Sequence, residues 1–234
     1  MENIIIYYGF ALIGIVIVSL AQLNINSNYK KYKKAPLSNN LTGQEVARKI
    51  LDANGLNNVY IVATQGELSD HYDPNRKVVK LSQDIYSGET IAAAAVAAHE
   101  CGHAIQDKED YTFMRIRSAL VPFVNLVSYL GYFGVIISIF AGITGYLKIS
   151  ILILFATIIF QLVTLPVEFN ASKRAKEELQ KLGLVNSEEL EGSEKMLFSA
   201  ALTYVASLLS TLLQLLRLLI LLGRRDDWWN FSCK

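Results

Sequence analysis

The sequence predicts a mainly α, polytopic membrane protein with about four transmembrane helices and a small α+β domain on the cytoplasmic side. Three observations carry that prediction. Of 234 residues, 52% are hydrophobic and only 18% charged, and the mean hydropathy of +0.31 is high for a soluble domain. The apolar residues are concentrated in four long runs. Between those runs lie two polar regions, the first of which carries helix-capping and strand signals. A net charge of +1, with no basic, aromatic-interleaved surface, argues against nucleic acid as a partner. The two cysteines, Cys101 and Cys233, lie far apart in the chain and support no disulfide framework.

The first run, "IIIYYGFALIGIVIVSLAQL" at residues 4–23, has no charge and is long enough to cross a bilayer as a helix. Residues 1–23 therefore read as an N-terminal anchor. A cleavable signal peptide is the rival, since Ser19 and Ala21 are small. Against it, the leader "MEN" is acidic and the lysines follow the run instead of preceding it.

Residues 24–118 read as a folded domain. Thr42 and Glu45 make a capping box, and Gly55 sits where a helix over 43–54 would end. The runs "NVYIVATQ" and "RKVVKLSQ" are β-branched and flank the turn-rich "GELSDHYDPN", which predicts a hairpin or a pair of sheet strands. Ser87 is the predicted cap of a helix running from Gly88 through "TIAAAAVAAHECGHAIQ" to about Asp107. Its apolar part is too short to span a membrane, so it reads as the buried central helix of this domain.

Apolar runs at 119–143 and 149–165, joined by "TGYLK", predict an antiparallel transmembrane hairpin over 119–165. A polar segment, 166–197, follows. The fourth run, 198–222, is interrupted only by Arg217, and 223–234 form a tail. Residues 24–118 hold 12 of the 22 lysines and arginines and 166–197 hold five more. Basic residues are retained in the cytoplasm, which places both polar regions there. The two arginines of the tail "GRRDDWWNFSCK" run against this orientation.

Within "AAHECGHAIQ", His99 and His103 are four residues apart and so share one helix face, where two imidazoles can reach one tetrahedral zinc ion. Glu100 lies about 100° round the helix, placed to take a proton from a zinc-bound water. Gly102 leaves space beside the metal for a neighbouring strand or a substrate. A purely structural zinc usually has four ligands and favours cysteine, and Cys101 points away from the histidine face. A catalytic site needs a third ligand from the same side of the membrane. Glu168 in "LPVEFNASKRAKEEL" qualifies, because two spans separate it from His103, and His71 in "SDHYDP" is the other candidate. Glu177, Glu178, Glu191 and Glu194 read as solvated helix faces.

With "DHYDP", "KLS", "AAHECGHAIQ", the span hairpin, "LPVEFNAS" and a terminal "RRDD", most of the chain resembles the neutral zinc metallopeptidases of the YugP type, small multi-pass bacterial membrane proteins. It is more distantly similar to the HtpX and Ste-type CAAX prenyl protease gluzincins. The resemblance implies a zincin-like cytoplasmic domain and one zinc ion held by His99, His103 and Glu168, with Glu100 as general base. Where the distant group has aspartate four residues after the ligand glutamate, this chain has Ser172. Any carboxylate holding a histidine must then come from elsewhere, with Asp107 and Asp84 as candidates. The implied reaction is peptide-bond hydrolysis in a protein or peptide substrate by a protease of the cell membrane. An extended substrate would pair with an edge strand, for which "VVKLS" is the candidate, and Arg174, Tyr72 or His71 would stabilise the oxyanion.

Two other functions compete. A catalytically silent, zinc-stabilised scaffold would not need Glu100. A transporter would carry ionisable residues inside its spans, where Arg217 stands alone near a membrane end. Asn125, Gln161 and Gln214 read as hydrogen-bonding residues between helices.

Overall fold

The computed structural model describes residues 2–140 and 146–232; the start of the link "TGYLK" and Cys233 lie outside the described residues. Among the described residues there are seven helices and three strands: α1 (Glu2–Tyr32), α2 (Gly43–Ala53), β1 (Tyr60–Thr64), β2 (His71–Asp73), β3 (Val78–Ser82), α3 (Gln83–Tyr86), α4 (Ile91–Lys108), α5 (Thr112–Phe140), α6 (Tyr146–Lys181) and α7 (Ser187–Ser232). Four segments are long and apolar enough to cross a membrane: Tyr8–Tyr32, Thr112–Gly134, Lys148–Lys181 and Ser187–Leu222. The protein is mainly α and polytopic. The chain divides into two compact units.

The apolar unit comprises Met1–Ala21, Ile116–Thr164 and Tyr204–Lys234. Its helices leave large side chains such as Leu12, Phe123, Leu126 and Leu152 exposed, as a surface solvated by hydrocarbon requires. Where helices meet, the contacts are small or polar. A Cβ on Gly14 would lie 2.8 Å from the Ser210 hydroxyl, and Gln161 Nε2 donates to Ser207 Oγ at 3.1 Å and Thr211 Oγ1 at 3.2 Å.

The mixed unit comprises Gln22–Arg115 and Leu165–Thr203. The Thr42–Glu45 capping box forms and starts α2, whose Val46, Ile50 and Leu51 are fully buried. Each of these larger side chains contributes about 1.5–3 kcal/mol by leaving water. They pack in one core with α4, which is alanine-rich and so a strong helix former. Its small side chains let neighbouring backbones come close.

The sheet order is β1-β3-β2, with β1 parallel to β3 and β2 antiparallel to it. Two sequence expectations change here, and a third resolves between its alternatives. "VVKLS" is β3, the central strand, and so cannot be the open edge that a substrate would pair with. Four of its five residues are buried, in keeping with a strand covered on both faces. Of the hairpin and the pair of sheet strands left open for the two β-branched runs, the second forms. They are parallel neighbours, and the stretch read as a turn supplies β2 between them in sequence. Finally, α4 starts at Ile91 and not at Gly88. Thr90 caps it by accepting the Ala93 N–H at 3.2 Å, while Ser87 closes α3 by donating its hydroxyl to the Gln83 carbonyl at 2.9 Å.

Helix α6 runs unbroken through Pro166 to Lys181, past the proline at which the sequence suggested the third span would end. Proline removes one backbone donor but is tolerated in membrane helices where neighbouring groups satisfy the freed carbonyl. Glu178, expected on a solvated face, is buried, because it accepts Asn54 Nδ2 at 2.8 Å just past the end of α2 and Lys181 Nζ at 3.1 Å.

Candidate metal centre

Helix α4 sets His99 and His103 one turn apart, with ring centroids 4.8 Å from each other and planes at 82°. Helix α6 brings Glu168 across from them. Its Oε2 is 3.4 Å from His99 Nε2 and 3.8 Å from His103 Nε2, and one ligand atom from each of the three lies within 4.8 Å of the others. Glu168 is 3% exposed and His103 8%.

The close approach of the two helices depends on Gly102. A Cβ there would lie 2.6 Å from the Ala171 carbonyl oxygen, so the missing side chain makes room for α6, not for a strand or a substrate.

The outer ring nitrogens are held as well. Ser172 Oγ is 3.2 Å from His99 Nδ1, and Gln106 Oε1 is 3.0 Å from His103 Nδ1. Both Nε2 atoms are thereby turned towards Glu168. Neither carboxylate anticipated for this task performs it. Asp107 accepts the Tyr72 hydroxyl at 2.8 Å and Lys77 Nζ at 2.5 Å, and Asp84 accepts Lys33 Nζ at 2.5 Å. Ser172, one turn after Glu168, does the work expected of a carboxylate there. The sequence motif alone does not single out Gln106, although its place three residues after His103 on one helix is a usable signal.

Glu100 is buried, and that burial pushes its carboxyl up to about 7, with the Glu168 carboxylate adding to the rise and His99 opposing it. The Tyr72 backbone on β2 lies beside Glu100 and works slightly against the rise. The Tyr72 side chain is directed elsewhere. Burial and the bond to Asp107 raise its phenol well above the usual tyrosine range. His71 is exposed on β2, its Nδ1 2.8 Å from the Ser69 carbonyl, and the three-residue donor group contains Glu168 in its place. Arg174 donates through Nε to Asn170 Oδ1 and through a terminal nitrogen to Glu109, both at 2.7 Å, and holds the Glu109 carboxyl below its usual range.

Two imidazole nitrogens and one carboxylate oxygen, converging beside a buried acid, are the donor set of catalytic zinc sites with an open position. The residues therefore fit the ion. Residues 7–223 match the family described as "Putative neutral zinc metallopeptidase". A protein of Bacillus subtilis (strain 168) described as "Putative membrane protease YugP" is 43% identical over 208 residues, covering 88% of this chain and 92% of that protein. No solved structure matches the chain. The chain belongs to this zinc metallopeptidase family.

Proposed function

We propose that this family member is a membrane-embedded, zinc-dependent endopeptidase in which His99, His103 and Glu168 hold one zinc ion and Glu100 is the general base. The observation that carries the reading is the convergence of the three donors within 4.8 Å next to a buried carboxyl raised to about 7. When bound, zinc supplies a Lewis acid that polarises a peptide carbonyl and acidifies a water.

The chain's own residues account for the proton transfers. A carboxyl titrating near neutrality is poised both to take a proton from the attacking water and to return it to the leaving amine. Burial of Glu168 keeps its oxygen aimed at the two Nε2 atoms. The substrate is a protein or peptide, and the site faces the cytoplasm, a reading supported by the lysines and arginines of residues 24–118 and 166–197.

The test is zinc content by elemental analysis, measured beside cleavage of an unstructured reporter protein, on detergent-purified parent, Glu100→Gln and Glu168→Ala. Glu100→Gln is expected to keep zinc and lose about 100-fold or more of cleavage, and Glu168→Ala to lose both. A parent without zinc, or a Glu100→Gln variant with parental cleavage, would overturn the assignment.

A further inference from the structure

We infer that Gln106, Asn170 and Arg174 are positioning residues: a one-way hydrogen-bond chain that keeps a hydrogen on Nδ1 of His103 and so turns Nε2 to the metal. The inference rests on the zinc-site reading above, but its first test needs no metal. Gln106 Nε2 donates to the Val167 backbone carbonyl at 2.8 Å and to Asn170 Oδ1 at 3.0 Å. The same Asn170 oxygen accepts Arg174 Nε at 2.7 Å, and Arg174 is anchored in turn on Glu109 at 2.7 Å.

The two ends of this chain have a fixed sense. A backbone carbonyl can only accept and a guanidinium can only donate. Amide oxygens and nitrogens are easily interchanged when an amide is placed, but a reversed Gln106 would set its oxygen against two acceptors, and a reversed Asn170 would set its NH2 against Arg174. Both amides are therefore oriented by their partners. Gln106 Oε1 is left facing His103 Nδ1 at 3.0 Å. An amide oxygen has no proton to give, so Nδ1 must carry one, and in the neutral ring Nε2 then has none. Gln106 is 0% exposed, so water does not compete for these bonds. His99 differs, because the Ser172 hydroxyl at its Nδ1 can donate or accept and imposes no such choice.

The chain has only three histidines, so nitrogen-15 NMR of the histidine rings can be assigned in the full protein. His71→Gln would remove the exposed one. In detergent, with metal removed by a chelator, His103 is expected to keep a protonated Nδ1 up to pH 8.5. A bare Nδ1 with hydrogen on Nε2 would overturn the proposal whether or not the parent binds zinc, so this failure is distinct from failure of the peptidase reading. Chelator competition then measures zinc affinity. Gln106→Leu is expected to lose about 10- to 100-fold, and Asn170→Asp, whose oxygens still accept from both donors, to stay within about threefold of parent. A folded Gln106→Leu with parental zinc affinity would also overturn the idea. If Gln106→Leu does not fold, the parent's NMR signature and Asn170→Asp decide, since a purely structural role for Gln106 would not fix the ring's tautomer.

Discussion

Helices α4 and α5 are near neighbours in the chain and both are predominantly apolar, yet they meet opposite surroundings. Along α4, Ala92–Ala95, Ala97, Ala98, Cys101 and Ala104 are all fully buried in protein. Along α5, Phe123, Leu126, Tyr129 and Leu130 stand exposed, in a segment read as crossing the membrane. Side-chain size separates them more clearly than hydropathy does. Small residues in α4 let α6 approach to backbone contact, and that approach brings Glu168 to the histidines. Large residues in α5 spread apolar surface outwards, where lipid can cover it.

The same substitution in the two helices should break the resemblance most visibly. Gly102→Ala drives a Cβ to 2.6 Å from the Ala171 carbonyl, whereas Gly134 has nothing within 4 Å of its Cβ position. The first should cost about 3 kcal/mol or more, because backbone must move, and should lower zinc content with it. The second should be neutral or stabilise by roughly 0.5–1 kcal/mol through helix propensity. Thermal melting by circular dichroism with zinc analysis checks both, and equal effects would mean that α4 is no more tightly packed than a span.

Polar groups sharpen the contrast next. Glu100 is buried by α4's packing and titrates at about 7, above the ordinary value of 4.5. Between those values the folded metal-free protein holds a proton that the unfolded chain has released. Raising the pH therefore removes stability, by roughly 3 kcal/mol once both states are ionised. Melting temperatures of the metal-free protein at pH 5 and pH 8 should show this loss, and Glu100→Gln should abolish its share. A parent and variant with the same pH dependence would show that Glu100 is solvated when folded.

How much of this was legible in the sequence follows the same division. The spans could be read from composition, since lipid selects residues by hydropathy alone. His99, Glu100 and His103 could be read because one helix turn fixes their relation locally. Glu168 required counting membrane crossings. Strand pairing could not be read, as nothing in "RKVVKLSQ" announces a parallel neighbour on one side and an antiparallel one on the other, and three-residue β2 is too short to show alternation. Ser87 and Thr90 are both good caps three residues apart, and only the short helix α3, which ends just before Ser87 and takes its hydroxyl, decides between them. Ser172 looked like a departure because a carboxylate was expected, although a hydroxyl reaches the same ring nitrogen.

Tyr72 tests whether proximity to the site implies chemistry. Its hydroxyl is spent on Asp107, which Lys77 also holds, so Tyr72→Phe should cost about 1 kcal/mol of stability and leave cleavage within about twofold. A loss of about 100-fold at unchanged zinc content would instead place the phenol at the reacting carbonyl.

The smallest effect is expected in the apolar unit. Gln161 bridges α6 to Ser207 and Thr211 of α7 with two hydrogen bonds, as many as Ser172 and Gln106 together supply to the two histidines. Polar contacts between membrane helices nevertheless average only about 0.6 kcal/mol, because separated helices find other partners within the bilayer. Gln161→Leu should therefore cost about that much in a reversible unfolding measurement in detergent, with zinc content and cleavage unchanged. A cost of about 2 kcal/mol or more would exceed the range usual for such bonds. It would mean that the spans, like α4, depend on particular polar pairings, and that apolar surface facing lipid is not enough to hold them in place.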